Sequence, residues 1–421
     1  MSSSTLVILI IFLTLILFIT EIVPISVTSI GTLTLFYLIG VIDKETALKA
    51  FSSGTVMIIA SMSIIGEAIF ETGGAHKLGQ ILTRLAKSER NLVFIIVIFS
   101  GIISGFLSNT GAAALLISFT LSICQTSKMN RTKLIYPVIV GCSLGGGLTI
   151  VGTTSGPFLK ETYDSLNLGT TLSFFEFTTL SLILIFSAAL YLYLIGYNLL
   201  PDKPNNNILN SENCIKKIKS SKVKMYLSFI IILLTLTGMV FEKKLNIDCS
   251  FIAIIGALAV IVTKCTSLER SLKVIPINGI ILYASMVPLG KALINSGAAD
   301  KIVIFSLKTL NKIENPFIII ILIFLIVTPI TNFMSNAATI ILFTPIIIII
   351  AQGLKLDVKG LLIALRFAAS IAVVTPIATP PNTMALEPGG YKFKDFIKVG
   401  FPLAILESII CIIYIYYFYY R

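Results

Sequence analysis

The chain has 421 residues, of which 56% are hydrophobic and only 12% are charged. Soluble domains carry about 25% charged residues, so the composition excludes a large soluble domain and indicates a membrane protein with many spans. The net charge of +12 raises the question of nucleic-acid binding. However, lysines and arginines lie mainly between apolar runs, as the positive-inside bias requires, and no nucleic-acid partner is expected.

Apolar runs of membrane-spanning length recur along the whole chain. The first begins at Thr5, with no basic residue before it and no small-residue cleavage site after it, so we expect a span rather than a signal peptide. The runs cover residues 5–20, 25–42, 54–70, 91–124, 134–150, 171–200, 224–240, 247–263, 277–294, 316–353, 361–378 and 397–419.

Two of these runs, 91–124 and 316–353, are too long for one span and carry a polar pair in the middle. The pairs are Ser108-Asn109 and Ser335-Asn336. Non-helical backbone is tolerated at membrane depth only where it is buried in protein or lines a cavity. We therefore expect each run to be a re-entrant hairpin with the pair at its tip. The alternative is two ordinary helices joined by a tight turn.

Each polar pair is followed by a second interruption at nearly the same distance. Gly152-Thr153-Thr154 follows the first pair, and Thr379-Pro380-Pro381-Asn382 follows the second. Ser108 and Thr153 are 45 residues apart, whereas Ser335 and Thr379 are 44 apart. This matched spacing predicts two broken helices and a paired site for an ion and a substrate.

The repetition extends to earlier segments. Ala60-Ser61-Met62 is matched by Ala284-Ser285-Met286, and glycines seven residues apart follow both. We therefore predict two repeats, residues 1–200 and 224–421, joined by a polar, basic linker at 201–223.

The number of crossings between matched spans is odd, which predicts that the repeats are inverted. Loops 71–90, 125–133, 201–224, 264–276 and 379–398 together carry 19 basic residues, whereas the opposite loops and Arg421 carry 11. The side with 19 should be cytoplasmic. With ten crossings in the cell membrane, the linker is then cytoplasmic and both termini lie outside.

The polar residues at the interruptions suit a cation and an anion together. Hydroxyl, amide and carbonyl oxygens are neutral, hard ligands of the kind that sodium prefers. Helix N-termini and N–H donors can hold an anion. Clusters of small residues in membrane helices are often only packing surfaces, but the doubled, equally spaced set favours a binding site.

These motifs resemble the divalent anion:sodium symporter family of the ion transporter superfamily. The resemblance rests on the doubled Ser-Asn motif, the Thr-Pro-Pro-Asn loop and an early Thr20-Glu21-Ile22-Val23-Pro24 segment, and it covers nearly the whole chain. It implies an all-α polytopic membrane protein with two inverted repeats, about ten transmembrane helices, two re-entrant hairpins and two broken helices. It also implies a homodimer whose hairpins move against a scaffold like an elevator.

The resemblance implies specific ligands by position. The first sodium site would use Ser104, Ser108, Asn109 and the carbonyl of Gly152. The second would use Thr331, the carbonyl of Met334, Asn336 and the carbonyl of Ala378. The small anionic substrate would lie near Asn109, Thr110, Thr153, Ser335, Asn336, Thr379 and Pro380.

The chain departs from the family pattern in two places. Ala337 replaces a threonine after the second Ser-Asn pair, and Thr154-Ser155-Gly156 replaces Pro-Pro-Asn after the first break. The first sodium site is therefore less secure than the second. Arg366, Glu21 and Glu407 are ionisable residues in or near spans. Arg366 could attract the anion, but extension to the nearest membrane interface is the preferred interpretation. Glu21 and Glu407, both near span ends, each fit a functional role or a structural hydrogen bond equally well.

The favoured function is sodium-coupled uptake of a small divalent anion, with a C4 dicarboxylate as the first choice. The alternative is a proton-coupled or exchange carrier of the same fold for citrate, sulfate or another oxyanion. A membrane enzyme is disfavoured because the single histidine cannot form a two-histidine metal motif and no Gly-x-Ser-x-Gly elbow occurs. A channel is disfavoured because channel filters are rings built by several subunits.

Overall fold

The computed structural model describes residues 3–20, 22–73, 88–107, 109–127, 129–166, 168–202, 222–302, 304 and 315–421. Within these ranges every regular element is a helix, and eight helices are long and apolar enough to cross a membrane. The chain is therefore an all-helical, multi-pass membrane protein, as the sequence predicts. Glu21, Ser108 and most of the predicted linker at 201–223 lie outside the described residues.

The first half of the chain folds into helices that begin at polar caps. Asp43, Ser88 and Asn130 each accept a hydrogen bond from a backbone N–H in the first turn of the helix that follows, which satisfies a donor that the helix itself leaves free. The helices are α1 (Ser3–Thr20), α2 (Ile25–Leu38), α3 (Lys44–Lys49), α4 (Gly54–Glu71), α5 (Glu89–Phe106), α6 (Asn109–Ser127), α7 (Arg131–Gly145), α8 (Ser155–Ser165) and α9 (Thr178–Tyr191). A π turn at Leu192–Gly196 continues α9 to Leu199.

The second half uses the same kind of cap. Asp248, Ser267, Asn315 and Asp357 accept from the N–H groups that open their helices. The helices are α10 (Lys222–Val240), α11 (Glu242–Leu245), α12 (Cys249–Val262), α13 (Leu268–Val274), α14 (Ile277–Met286), α15 (Leu289–Asn295), α16 (Pro316–Thr331), α17 (Asn336–Gly353), α18 (Val358–Ser370), α19 (Pro380–Gly389) and α20 (Phe393–Tyr419).

The two long apolar runs are interrupted at the Ser-Asn motifs, as expected. In the first run, α5 ends at Phe106 and α6 begins at Asn109. In the second, α16 ends at Thr331, and Ser335 caps α17 by accepting from the N–H of Ala338 at 3.2 Å. Each run is thus a pair of packed helices with its polar motif at the junction.

Both Thr-rich segments are breaks between helices. After α7, a short 3₁₀ turn at Ile150–Gly152 precedes α8. After α18, residues 371–379 run without helix until α19 begins at Pro380. Much of the predicted 379–398 loop is therefore helical, because prolines at the first positions of α19 need no N–H partner and fit the first helical turn.

The helices form two packed groups. A central group contains α5–α7, α9 and α16–α20, and a peripheral group contains α1–α4, α10 and α12–α15. Glycines bring α5 and α7 into backbone contact in the central group: a Cβ on Gly145 would lie 2.1 Å from the carbonyl oxygen of Gly101. α8 packs against α4 of the peripheral group and against α17 of the central group. It therefore lies at the boundary between them.

Side chains of one half bind the backbone of the other half within the central group. The Tyr136 hydroxyl donates to the carbonyl of Val373 at 2.8 Å, and the Tyr391 hydroxyl donates to the carbonyl of Thr132 at 2.7 Å. Ser143 donates to the carbonyl of Ser370 at 3.1 Å, close to both helix breaks. These hydrogen bonds join the two halves of the chain within the central group.

Candidate functional site

Three oxygen atoms converge where α5 meets α6. Ser104 is fully buried, and its Oγ lies 2.7 Å from the Asn109 Oδ1 and 2.9 Å from the carbonyl oxygen of Cys142 on α7. The serine hydroxyl has a single proton for two acceptors. The cluster is therefore rich in lone pairs, which a small cation can satisfy.

The second half contains a cluster of the same three kinds of oxygen atom: a hydroxyl, a side-chain amide and a backbone carbonyl. Thr331 is fully buried, and its Oγ1 lies 3.0 Å from the Asn336 Oδ1 and 2.8 Å from the carbonyl oxygen of Ala369 on α18. Each of these three residues lies 227 positions after its counterpart in the first half. We call the two clusters the first and second half-sites: Ser104, Asn109 and Cys142 in the first, and Thr331, Asn336 and Ala369 in the second.

The matched hydrogen bonds continue into the breaks. In the first half, Thr149 donates to the carbonyl of Gly105 at 2.6 Å. In the second half, Thr375 donates to the carbonyl of Asn332, the residue equivalent to Gly105. Thr153 and Thr379 have nearly identical backbone angles, with φ and ψ of −137° and 155° against −143° and 154°. The two breaks therefore have related local structures, although their sequences differ.

The first break packs closely around the first half-site. A Cβ on Gly146 would lie 2.5 Å from the Asn109 Oδ1 and 2.6 Å from the Thr153 Cγ2, and a Cβ on Gly152 would lie 2.7 Å from the carbonyl oxygen of Gly146. A side chain at Gly152 would collide with backbone atoms, and one at Gly146 would force the Asn109 or Thr153 side chain to shift. Asn109, Gly152 and Thr153 are therefore brought together, as the sequence predicts.

The second break is held by two asparagines that were not among the predicted ligands. Asn332 donates to the carbonyls of Thr328 and Ile371 and accepts from the N–H of Val374. Asn382 donates to the carbonyls of Ala372 and Thr375. Their amides replace the helical bonds that the break removes. The sequence offered one signal for each asparagine: Asn332 lies close to Ser335, and Asn382 belongs to the Thr-Pro-Pro-Asn motif.

The remaining predicted residues occupy varied environments. The Thr379 hydroxyl donates to the Asn382 Oδ1 at 3.0 Å, and the Ser335 hydroxyl serves the α17 cap. The Met334 and Ala378 side chains are buried, whereas Thr110 and Pro380 are exposed. The sodium roles given to Met334 and Ala378 depend on their carbonyls and stay predictions, and Ser108 lies outside the described residues.

Arg366 lies beside the first break, so the preferred interpretation from the sequence was wrong. Its side chain is 1% exposed. One terminal nitrogen donates to the carbonyl of Gly146 at 3.0 Å and to the Thr153 Oγ1 at 2.9 Å, and the other donates to Ser370 at 2.8 Å. Extension to an interface is unnecessary because the protein supplies these acceptors internally.

Glu407 on α20 is also fully buried. Ser187 on α9 donates to its Oε1 at 2.8 Å, while its Oε2 has no hydrogen-bond partner among the described residues. The structural hydrogen bond considered from the sequence is therefore present.

A cavity of about 680 Å³ borders the first break at Ile150 and Val151. Its wall carries Glu161 of α8, whose carboxylate accepts from the Tyr283 hydroxyl of α14 at 2.5 Å and from the Thr55 hydroxyl of α4. Glu161 thus bonds α8 to two helices of the peripheral group.

Comparison with protein families gives a match over nearly the whole chain. The family model described as a citrate transporter (CitMHS) matches residues 15–358 and 315–421. An uncharacterized transporter of Haemophilus influenzae is 26% identical over 427 residues, which cover 95% of this chain and 88% of the relative. The sodium-dependent dicarboxylate transporter SdcS of Staphylococcus aureus is 25% identical over 436 residues, which cover 95% of this chain and 83% of the relative.

Two solved structures share the fold. MtrF of Neisseria gonorrhoeae, reported to illuminate a class of antimetabolite efflux pumps, aligns with a TM-score of 0.67 at 15% identity and covers 100% of this chain and 95% of its own. The YdaH transporter of Alcanivorax borkumensis aligns with a TM-score of 0.66 at 14% identity and covers 99% of this chain and 98% of its own. At these identities the similarity establishes the fold alone.

Proposed function

The chain belongs to the citrate transporter (CitMHS) family of the ion transporter superfamily, and from this premise we propose that it is a sodium-coupled carrier that takes up a small divalent anion. The family makes the protein a secondary transporter. A C4 dicarboxylate is the first-choice substrate, since a relative aligned over 95% of the chain is a sodium-dependent dicarboxylate transporter. That relative also supports the resemblance to divalent anion:sodium symporters.

The observation that carries the proposal is the pair of matched half-sites. In each, a hydroxyl lies within hydrogen-bond distance of both an amide oxygen and a backbone carbonyl oxygen. Neutral oxygen ligands suit a hard monovalent cation and need no fixed carboxylate. In the proposal, Ser104, Ser108, Asn109 and Gly152 serve the first half-site, and Thr331, Met334, Asn336 and Ala378 serve the second.

The anion is proposed to lie between the two helix junctions. α6 and α17 begin at Asn109 and Asn336, and α19 begins at Pro380 just after Thr379. Helix N-termini carry free N–H groups and partial positive charge, which favour an anion. The proposed anion contacts are Asn109, Thr110, Thr153, Ser335, Asn336, Thr379 and Pro380.

Transport is proposed to occur by sliding of the central group against the peripheral group. The half-sites and both breaks belong to the central group and to α8, whereas the peripheral group supplies none of the predicted ligands. A rigid body that carries its whole site across the membrane satisfies alternating access. We further propose that the two halves, residues 1–200 and 224–421, are inverted repeats and that the peripheral group forms a homodimer in the cell membrane.

A second candidate substrate is citrate, because the matching family model bears that description. The fold and the half-sites are equally compatible with a tricarboxylate. The discriminating feature is the number of carboxylates that the site binds, which competition by unlabelled anions measures directly.

The function is tested with purified protein in proteoliposomes. An inward sodium gradient should drive accumulation of a labelled C4 dicarboxylate, and an equal potassium gradient should not. Unlabelled C4 dicarboxylates, citrate, sulfate and phosphate then rank the substrates by competition. Uptake that ignores sodium and is unchanged by Asn336→Ala would reject the symport assignment. Counterflow without a sodium gradient distinguishes a functional exchanger from inactive protein.

A further inference from the structure

The two half-sites differ by one built-in positive charge. Arg366 comes from α18 in the second half, but its guanidinium binds the carbonyl of Gly146 and the hydroxyl of Thr153 in the first break. Subtracting the repeat offset of 227 from Arg366 gives Ile139, which is buried and uncharged. The position in the first half that is equivalent to Arg366 therefore carries no charge.

The guanidinium lies near the first half-site, where the family resemblance implies a sodium ion. Gly146 accepts from it, and a Cβ on Gly146 would lie 2.5 Å from the Asn109 Oδ1 of the first half-site. Asn109, Thr153 and the guanidinium thus surround one glycine. A sodium ion bound here would be close to a fixed like charge in a setting of low dielectric constant, where such repulsion is strong.

Arg366 also lacks a counter-charge within the described part of the chain. The ion pairs found there do not include it. Among the described residues its Nε has no hydrogen-bond partner, and the side chain is only 1% exposed. A buried cation without an anionic partner is costly. An anion that binds beside the first break would supply the missing charge.

We propose that Arg366 is a tethered cation that replaces a coupling sodium ion at the first half-site and pairs with the carboxylate of the substrate. The mobile sodium ion is then bound at the second half-site, by Thr331 and Asn336. The inference rests on the proposed sodium-coupled uptake and changes one part of it: the oxygens of Ser104, Ser108, Asn109 and Gly152 then bind no coupling sodium ion.

The test measures anion uptake in proteoliposomes as a function of sodium concentration. For the wild type we expect a Hill coefficient for sodium of about 1, because one mobile site is coupled. Arg366→Met should raise this coefficient or abolish uptake, and should weaken the apparent anion affinity by roughly tenfold or more. Arg366→Lys should keep the wild-type coefficient. Arg270→Gln is the charge control. It removes a positive charge that pairs with Glu71 and is far from Arg366 in the sequence.

A matched pair of variants keeps the inference testable if Arg366→Met does not fold. Thr331→Val and Ser104→Ala each remove the hydroxyl of one half-site. Thr331→Val should raise the sodium concentration for half-maximal uptake about tenfold, whereas Ser104→Ala, which removes a hydrogen bond to the proposed anion contact Asn109, should chiefly weaken the anion affinity and raise that sodium concentration much less. Equal sodium shifts in both variants, or a wild-type Hill coefficient near 2, would overturn the inference while leaving sodium coupling intact. Wild-type uptake without any sodium dependence would overturn sodium coupling itself.

Discussion

The Thr331 hydroxyl lies 3.0 Å from the side-chain oxygen of Asn336, across the junction between α16 and α17. Ser104 and Asn109 stand in the same relation at 2.7 Å in the first half. Each contact joins the last turn of one helix to the first residue of the next. The hydroxyl in each contact also lies within hydrogen-bond distance of a carbonyl oxygen of a third helix. These contacts therefore fix the geometry of oxygens that would otherwise belong to three separate helices.

Removing the Thr331 hydroxyl tests the second half-site directly. Thr331→Val keeps the shape of the side chain but deletes one oxygen ligand, so the sodium concentration for half-maximal uptake should rise about tenfold. Thr344→Val is the matched control, since Thr344 is a buried threonine of α17 whose hydroxyl, within the described part of the chain, bonds the carbonyl of Ile340 in its own helix. Equal sodium dependence in both variants would contradict a ligand role for Thr331.

Adding one methyl group at Gly146 tests the packing of the first break. In Gly146→Ala the new Cβ would lie 2.5 Å from the Asn109 Oδ1, and overpacking of this kind costs about 1–3 kcal/mol. We expect anion affinity to fall by roughly tenfold or more. Gly31→Ala on α2, where nothing lies within 4 Å of the new atom, should bind as the wild type does. Binding by isothermal titration calorimetry decides, and normal affinity in Gly146→Ala would show that the first break is not part of the site.

The contact between Glu161 and Tyr283 should influence movement more than binding. It joins α8 to the peripheral helix α14, so it stabilises one arrangement of the two groups. Tyr283→Phe should change the rate of counterflow several-fold, as loss of one hydrogen bond to a charged group allows, with less change in anion affinity. Tyr163→Phe is the control, because the Tyr163 hydroxyl bonds Thr170 and not the peripheral group. Equal effects of Tyr283→Phe on affinity and on rate would contradict this role.

The placement of the termini outside the cell is a prediction from loop charge alone. Loops assigned to the cytoplasm carry 19 basic residues against 11 on the other side, and the excess should orient the chain. A periplasm-active reporter fused after Arg421 should therefore be active. A reporter that works only in the cytoplasm would reverse the assignment without affecting the half-sites.

The sequence predicted the features that depend on local chemistry. Polar residues in an apolar run predict a break wherever they occur, so the junctions before Asn109 and Asn336 and the breaks near Thr153 and Thr379 were all foreseen. The family resemblance implied Ser104, Asn109, Thr331 and Asn336 as sodium ligands. Ser104 lies within hydrogen-bond distance of Asn109, and Thr331 within that distance of Asn336, while their role as ligands stays a prediction.

The sequence could not predict contacts made across the fold. Arg366 and Thr153 are 213 positions apart, and nothing in the residues near Arg366 indicates which way its side chain turns. Asn332 and Asn382 were overlooked for a similar reason, since their partners are carbonyls of a segment without regular structure. Such segments have no periodicity from which a partner can be inferred.

The central claim is that the neutral oxygens of the half-sites take part in binding a cation and an anion together. Linkage requires that each ligand strengthen the binding of the other by the same factor. In purified protein, sodium should therefore tighten binding of the preferred anion by about tenfold or more relative to choline, and Asn336→Ala should remove this effect. Anion binding that is equally tight in sodium and choline, with no effect of Asn336→Ala, would contradict the account.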